Sequence, residues 1–97
     1  GMTARKTVED QEKFVLECVD KHGSLDVCNG DFHDAYHARF GGKRIHYRFG
    51  AQPVPEAMAR VKALYQRGVL SRAVISLGYN WQPGFPKWVY SYFRPGK

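Results

Sequence analysis

Two histidines stand four residues apart in His33-Asp34-Ala35-Tyr36-His37. On a helix that spacing puts both rings on one face, as in a two-histidine metal site, and Asp34 stands where a metalloprotease motif has glutamate. A hydrolytic centre would need a third ligand, which the sequence does not show. It would also need a base with the reach of glutamate, one methylene longer than aspartate. Phe32, Ala35, Tyr36 and Phe40 mark the apolar side of the same helix, so His33 and His37 are expected to point largely to solvent. The expectation is a chain without a resident metal or cofactor, an adventitious or regulatory ion being the lesser alternative. Cys18 and Cys28 are the only cysteines and form no CxxC pair. No basic cluster adjoins either one to lower its pKa, so both read as reduced, small apolar residues rather than nucleophiles. Gly41-Gly42-Lys43-Arg44 lacks the spacing of a phosphate-binding loop. No Ser/His/Asp arrangement can be argued. The chain is not expected to be an enzyme.

The cations carry more information. Formal net charge is +6, and it is unevenly placed. Residues 43–97 hold ten Lys/Arg against the single acid Glu56, whereas residues 1–42 hold five against eight acids. A small domain polarised in this way points to a polyanionic partner. Within the basic half, Pro55 to Arg72 is the stretch around which the rest is organised. Pro55 suits a first helical turn, and Ala, Met, Arg, Lys and Leu follow without a breaker. Met58, Val61, Leu64 and Tyr65 make an apolar stripe, with Ala57 beside it. The opposite side carries Glu56, Arg60, Ala63 and Arg67, flanked by Ala59, Lys62 and Gln66. Short Ala59 and Ala63 between longer Arg60, Lys62, Gln66 and Arg67 are what a groove-entering helix needs: room to approach, and donors for base edges and phosphates. A solvated face chosen for helix propensity alone would look similar.

The elements that position these residues read as follows. Thr7 with Asp10 resembles a capping box and opens a helix to His22, with Val8, Phe14, Val15, Cys18, Val19 and His22 inward. Its outer side is acidic and should face away from DNA or toward a second subunit. Leu25 and Val27 allow a one-pair strand. Asn29 caps a second helix to Phe40, with Asp31 in its first turn. In residues 43–54, Ile45, Tyr47 and Phe49 alternate with Arg44, His46 and Arg48, a strand signal that an ordered loop pinned by aromatics would also give. Gly68 fits a left-handed position after the third helix. Residues 69–77 and 87–94 alternate as the two strands of a long hairpin, joined by the turn-rich 78–86 segment. Trp88, Tyr90 and Tyr92 share one side of the second strand and are expected to pack as cross-strand pairs and core. Trp81 and Phe85 would be stacking platforms for unpaired bases, or anchors in a protein interface.

The order helix (7–22), short strand, helix (29–40), helix (54–67), hairpin resembles the winged helix DNA-binding domain. The run LYQRGVLSR carries the likeness: a helix ending at Gly68, two apolar residues, then the basic Arg72. The fold class so implied is mainly α with a β-hairpin, a winged-helix-like three-helix core. The resemblance implies that the helix over 54–67 enters the major groove with Arg60, Lys62, Gln66 and Arg67. It implies that the hairpin wing lies on the backbone, with Arg72 and Lys87. Lys43, Arg44 and Arg48 would add a phosphate patch. Members of that family join their second and third helices by a tight turn, whereas residues 41–54 intervene here. The function implied is a small transcriptional or replication-associated regulator that binds double-stranded DNA as a homodimer. The alternative is a protein–protein interaction module anchored by Trp81 and Phe85.

At 97 residues the chain is expected to be one domain spanning residues 1–97. Residues 1–6, with Arg5 and Lys6, are expected to be a loose arm, and Gly1 before Met2 looks like an expression remnant. No apolar run approaches the roughly 18 residues of a membrane span, and the first residues lack a signal-peptide segment. A cytoplasmic location follows as the expectation.

Overall fold

Three helices and one antiparallel hairpin follow in the order the sequence implies: α1 (Val8–His22), α2 (Gly30–Phe40), α3 (Pro55–Gln66), β1 (Ser71–Ser76) and β2 (Trp88–Phe93). They are seen in a computed structural model that describes residues 7–47, 52–77 and 86–96. The architecture is mainly helical with a hairpin after the third helix, a winged-helix-like arrangement.

Each boundary has a local cause. Thr7 Oγ1 accepts a hydrogen bond from the Asp10 N–H at 3.1 Å, and Asn29 Oδ1 accepts one from the Phe32 N–H at 3.1 Å. Both residues are therefore caps outside the helix, and α1 and α2 start one residue later than the expected 7 and 29. Val54 and Arg67 flank α3 as its end residues, Val54 with no side-chain cap bond and Pro55 following it in the first turn. Just beyond, Gly68 has φ 81°, which a side-chain-bearing residue adopts at a cost. That turn lets the Val69 and Leu70 N–H groups fold back onto the Leu64 carbonyl at 2.9 and 3.3 Å. Val69 and Leu70 thus belong to the helix stop rather than to the expected strand over 69–77. The strands pair from Ser71↔Phe93 to Ser76↔Trp88, and a bond from the Leu77 N–H to the Lys87 carbonyl at 2.8 Å closes the described end. Leu25 adds one antiparallel bridge to the other edge of β2, opposite Tyr92.

The core lies where α1 and α2 meet α3. Val15 and Val19 of α1, Leu25, Phe32 and Tyr36 of α2, and Ala57, Val61 and Leu64 of α3 are buried together with Leu70 and Tyr92. Phe14, Phe32, Tyr36 and Phe40 form one aromatic cluster, with ring centroids 5.6 Å apart for Phe14–Phe40 and 4.9 Å for Tyr36–Phe40.

Several expectations are corrected. Val8 lies 51% exposed, because the first turn of α1 extends past the core. Ala35 is exposed, and His33 is fully buried instead of facing solvent. The reason is a pair of backbone groups that His33 satisfies. The Val54 N–H donates to Nδ1 at 3.0 Å, which leaves Nε2–H to donate to the Asp26 carbonyl, also at 3.0 Å. A small apolar residue at that position would leave the buried Val54 N–H unpaired and the Asp26 carbonyl with only the Asn29 N–H. Of the two readings left open for residues 43–54, strand or ordered loop, the described part through Tyr47 is a loop. The Ile45 N–H donates to the Pro53 carbonyl at 2.9 Å. Arg44 pins the same loop: its Nε donates to the Gln52 carbonyl at 2.8 Å and its Nη2 to Asp34 Oδ1 at 2.6 Å.

Candidate nucleic-acid interface

The buried residues Ala57, Val61 and Leu64 fix how α3 is rotated. At 100° per residue the stripe diametrically opposite them is Pro55, Ala59, Lys62 and Gln66, and all four are exposed. Arg60 and Arg67 belong to a different stripe, roughly 140–160° round from Lys62, which turns toward α1. There Arg67 makes a two-pronged bond with Glu12, Nη2 to Oε1 at 2.7 Å and Nη1 to Oε2 at 2.8 Å. Such a fork-to-fork contact suits arginine and carboxylate geometry. The Arg67 hydrogen bond holds the Glu12 carboxyl below its usual range, and the same bond raises Arg67. Glu9, Glu17 and Asp20 line the same concavity as Arg67. So Arg67, expected among the groove-reading residues, sits on an acidic flank away from the outermost stripe of α3. Arg60 is half-buried in the field of Glu12 and Tyr36, and its Nε has no hydrogen-bond partner.

The other cations divide similarly. Arg72, expected on the phosphate backbone, lies between two rings, its guanidinium carbon 4.1 Å from the Tyr65 centroid and 3.7 Å from that of Tyr90. Its Nη1 also reaches Tyr92 Oη at 3.4 Å. It straps the hairpin to α3. Arg44, expected in a phosphate patch, is engaged as a loop staple by Asp34 and the Gln52 carbonyl, as described above. Lys43, Lys62, Gln66 and Lys87 are exposed, and Lys62 and Lys87 line one concavity. Arg48, Trp81, Phe85 and the 1–6 arm lie outside the described residues.

That concavity is a groove of about 630 Å³ between the outer side of α3 and β2. Val27, Met58 and Ala59 form one wall, Trp88 and Tyr90 the other, and no carboxylate lines it among the described residues. Trp88 was expected in the packed side of the hairpin; it is 49% exposed because α3 ends its contact with the sheet near Tyr65 and Tyr92. Sequence reading missed Val27, Met58 and Trp88 as a surface feature. Alternation alone marks which side of a strand is apolar, not whether another element covers it.

Several of the described groups able to do covalent or metal chemistry are engaged in bonds within the fold. Both nitrogens of His33 are engaged, and burial lowers its pKa. His37 Nδ1 donates to the Gly42 carbonyl at 3.0 Å. Among the described residues no group of three or more His, Cys, Asp or Glu is placed to hold a metal ion. Cys18 and Cys28 are free, and burial pushes both thiols up, away from nucleophilic use. The Tyr36 hydroxyl donates to Glu56 Oε2 at 2.9 Å, and burial raises its pKa. No described helix is long and apolar enough to cross a membrane. No family model, curated protein or solved structure matches this chain.

Proposed function

We propose that this domain binds double-stranded DNA, with the Ala59–Lys62–Gln66 stripe of α3 in the major groove and Lys87 of the hairpin on the adjoining backbone. One observation carries the reading. The outermost stripe of α3 and the start of β2 present amines and an amide with no carboxylate between them, while the acids of α1 gather on another flank. Ala59 leaves space for a groove wall, Gln66 has the donor and acceptor that an adenine edge requires, and Lys62 and Lys87 supply charge for phosphates. The element order is that of winged helix DNA-binding domains, and membership of that family is part of the proposal. A single face with few free cations makes a small footprint. The reading therefore includes a homodimer, whose two faces would meet successive turns of the duplex. A transcriptional regulator in the cytoplasm, where two free thiols stay reduced, fits this picture.

Fluorescence anisotropy with a labelled duplex at about 50 mM salt tests it. Lys62→Ala should weaken binding to selected and random duplexes alike. Gln66→Ala should flatten sequence preference by ~1–3 kcal/mol at one base pair. Arg67→Ala should leave binding nearly unchanged. Absence of duplex binding by the parent protein rejects the proposal.

A further inference from the structure

The sheet has an open edge, and it opens onto the apolar groove. The Leu77–Lys87 bond and the register fix the phase of β2. Backbone groups of Val89, Ser91 and Phe93 face β1, so those of Trp88, Tyr90 and Tyr92 face the other way. Tyr92 is satisfied there by Leu25, N–H to carbonyl in both directions at 2.9 Å. The third strand stops after that single bridge because Asp26 turns the chain. Its Oδ1 accepts from the Cys28 N–H at 2.7 Å and its carbonyl from the Asn29 N–H at 3.2 Å. Tyr90 and Trp88 are thereby left with edge N–H and carbonyl groups that meet no partner among the described residues.

We propose that this edge accepts an extended segment of another protein, added as a strand in continuation of Leu25, in which apolar side chains alternate with aspartate or glutamate. An open edge beside a groove selects an extended backbone over a helix, since the main-chain groups supply the bonds and the groove the side-chain pockets. Every second side chain of such a strand would point toward α3. There it meets Val27, Met58 and the exposed Trp88. Lys62 and Lys87 stand at the groove without a lining carboxylate, and this asymmetry selects acidic residues between the apolar ones. The inference does not depend on DNA binding, although an acidic strand lying against Lys62 and Lys87 would compete with a duplex for them.

The test starts with a random twelve-residue peptide library selected on the full chain without nucleic acid. The best peptide is then titrated while the Trp88 and Tyr90 amides are followed by NMR. Expected are peptides alternating apolar and acidic residues, with saturable shifts and slowed exchange at these two amides. Trp88→Thr keeps a strand-forming residue and all charges. It should weaken the peptide at least about tenfold and leave the affinity for duplex within about twofold, which separates failure here from failure of the DNA reading. No enriched sequence, basic or helical peptides, or a footprint elsewhere would overturn the proposal. So would slow exchange of the two amides before peptide is added, which means the edge is already covered. Shifts at these amides that grow with protein concentration alone would assign the edge to a second copy of the chain instead.

Discussion

His33 shows how a residue type with catalytic potential is taken up by the fold. Its two nitrogens join the turn at Asp26 to the start of α3 at Val54. Replacing it with alanine opens a cavity, leaves the buried Val54 N–H unpaired and removes one of the two bonds to the Asp26 carbonyl. His33→Ala should therefore cost about 3 kcal/mol of stability. The pH dependence has a definite sign. Burial lowers the folded pKa of His33, while the unfolded ring protonates near pH ~6.5. The contribution is complete above the unfolded value and is lost as pH falls through the folded one. Urea midpoints from pH 8 to 5 should show the gap between parent and His33→Ala narrowing on acidification. A constant gap would contradict the two-bond role. Arg67 and Glu12 give a second residue-level case. Glu12 has a lowered folded pKa, so the pair stabilises the protein above the ordinary carboxylate range and fails as pH falls through the folded value. Arg67→Ala should lower Tm slightly at pH 7, and by progressively less as the pH is taken down through the folded pKa of Glu12.

At the scale of elements, α3 is held in rotation by two different kinds of contact. Its inner side packs against α1 and α2, and its hairpin flank is tied through Arg72, layered between Tyr65 and Tyr90. A guanidinium over two tyrosine faces combines attraction to the rings with a flat stacking area. Arg72→Leu retains bulk but loses both, so the hairpin should separate from α3 more readily than α3 separates from α1. Hydrogen exchange should report this as faster exchange of the Ala73, Ile75, Val89 and Ser91 amides, with Val61 and Leu64 unchanged. Equal acceleration in both elements would mean that hairpin and helix open as one unit.

For the molecule as a whole, the balance of charge matters less than which charges remain free. Ten Lys/Arg after residue 42 would allow six phosphate contacts or more, and six would give roughly a 10³-fold loss of duplex affinity between 50 and 200 mM salt. Arg44, Arg67 and Arg94 are paired with Asp34, Glu12 and Asp20, and Arg72 is layered between tyrosines. Lys43, Lys62 and Lys87 are the exposed cations after residue 42 for which no partner is seen among the described residues. The expected log–log salt slope is therefore about −3 per protomer bound, a loss of roughly 40-fold per protomer over the same range, and Lys62→Ala should reduce the slope by about one per protomer. A slope of about −6 per protomer would mean that the paired arginines are released on binding.

Much of the fold was legible in residue order because its causes are local. Thr7, Asn29 and Pro55 mark helix starts through their own side chains or ring, Gly68 marks a stop through its positive φ, and alternation from Ser71 and from Trp88 marks strands. Even the one-pair strand at Leu25 follows from a short apolar alternation cut off by Asp26. The candidate site was legible only as a set of basic residues on the third helix and hairpin. Which of them face a partner depends on contacts between residues far apart in sequence: Arg67 with Glu12, Arg72 with Tyr65 and Tyr90, Arg44 with Asp34. Composition assigns all of these the same charge. An arginine becomes a clamp or a contact according to whether the helix packed beside it brings a carboxylate within reach, and that is decided when α1 settles against α3.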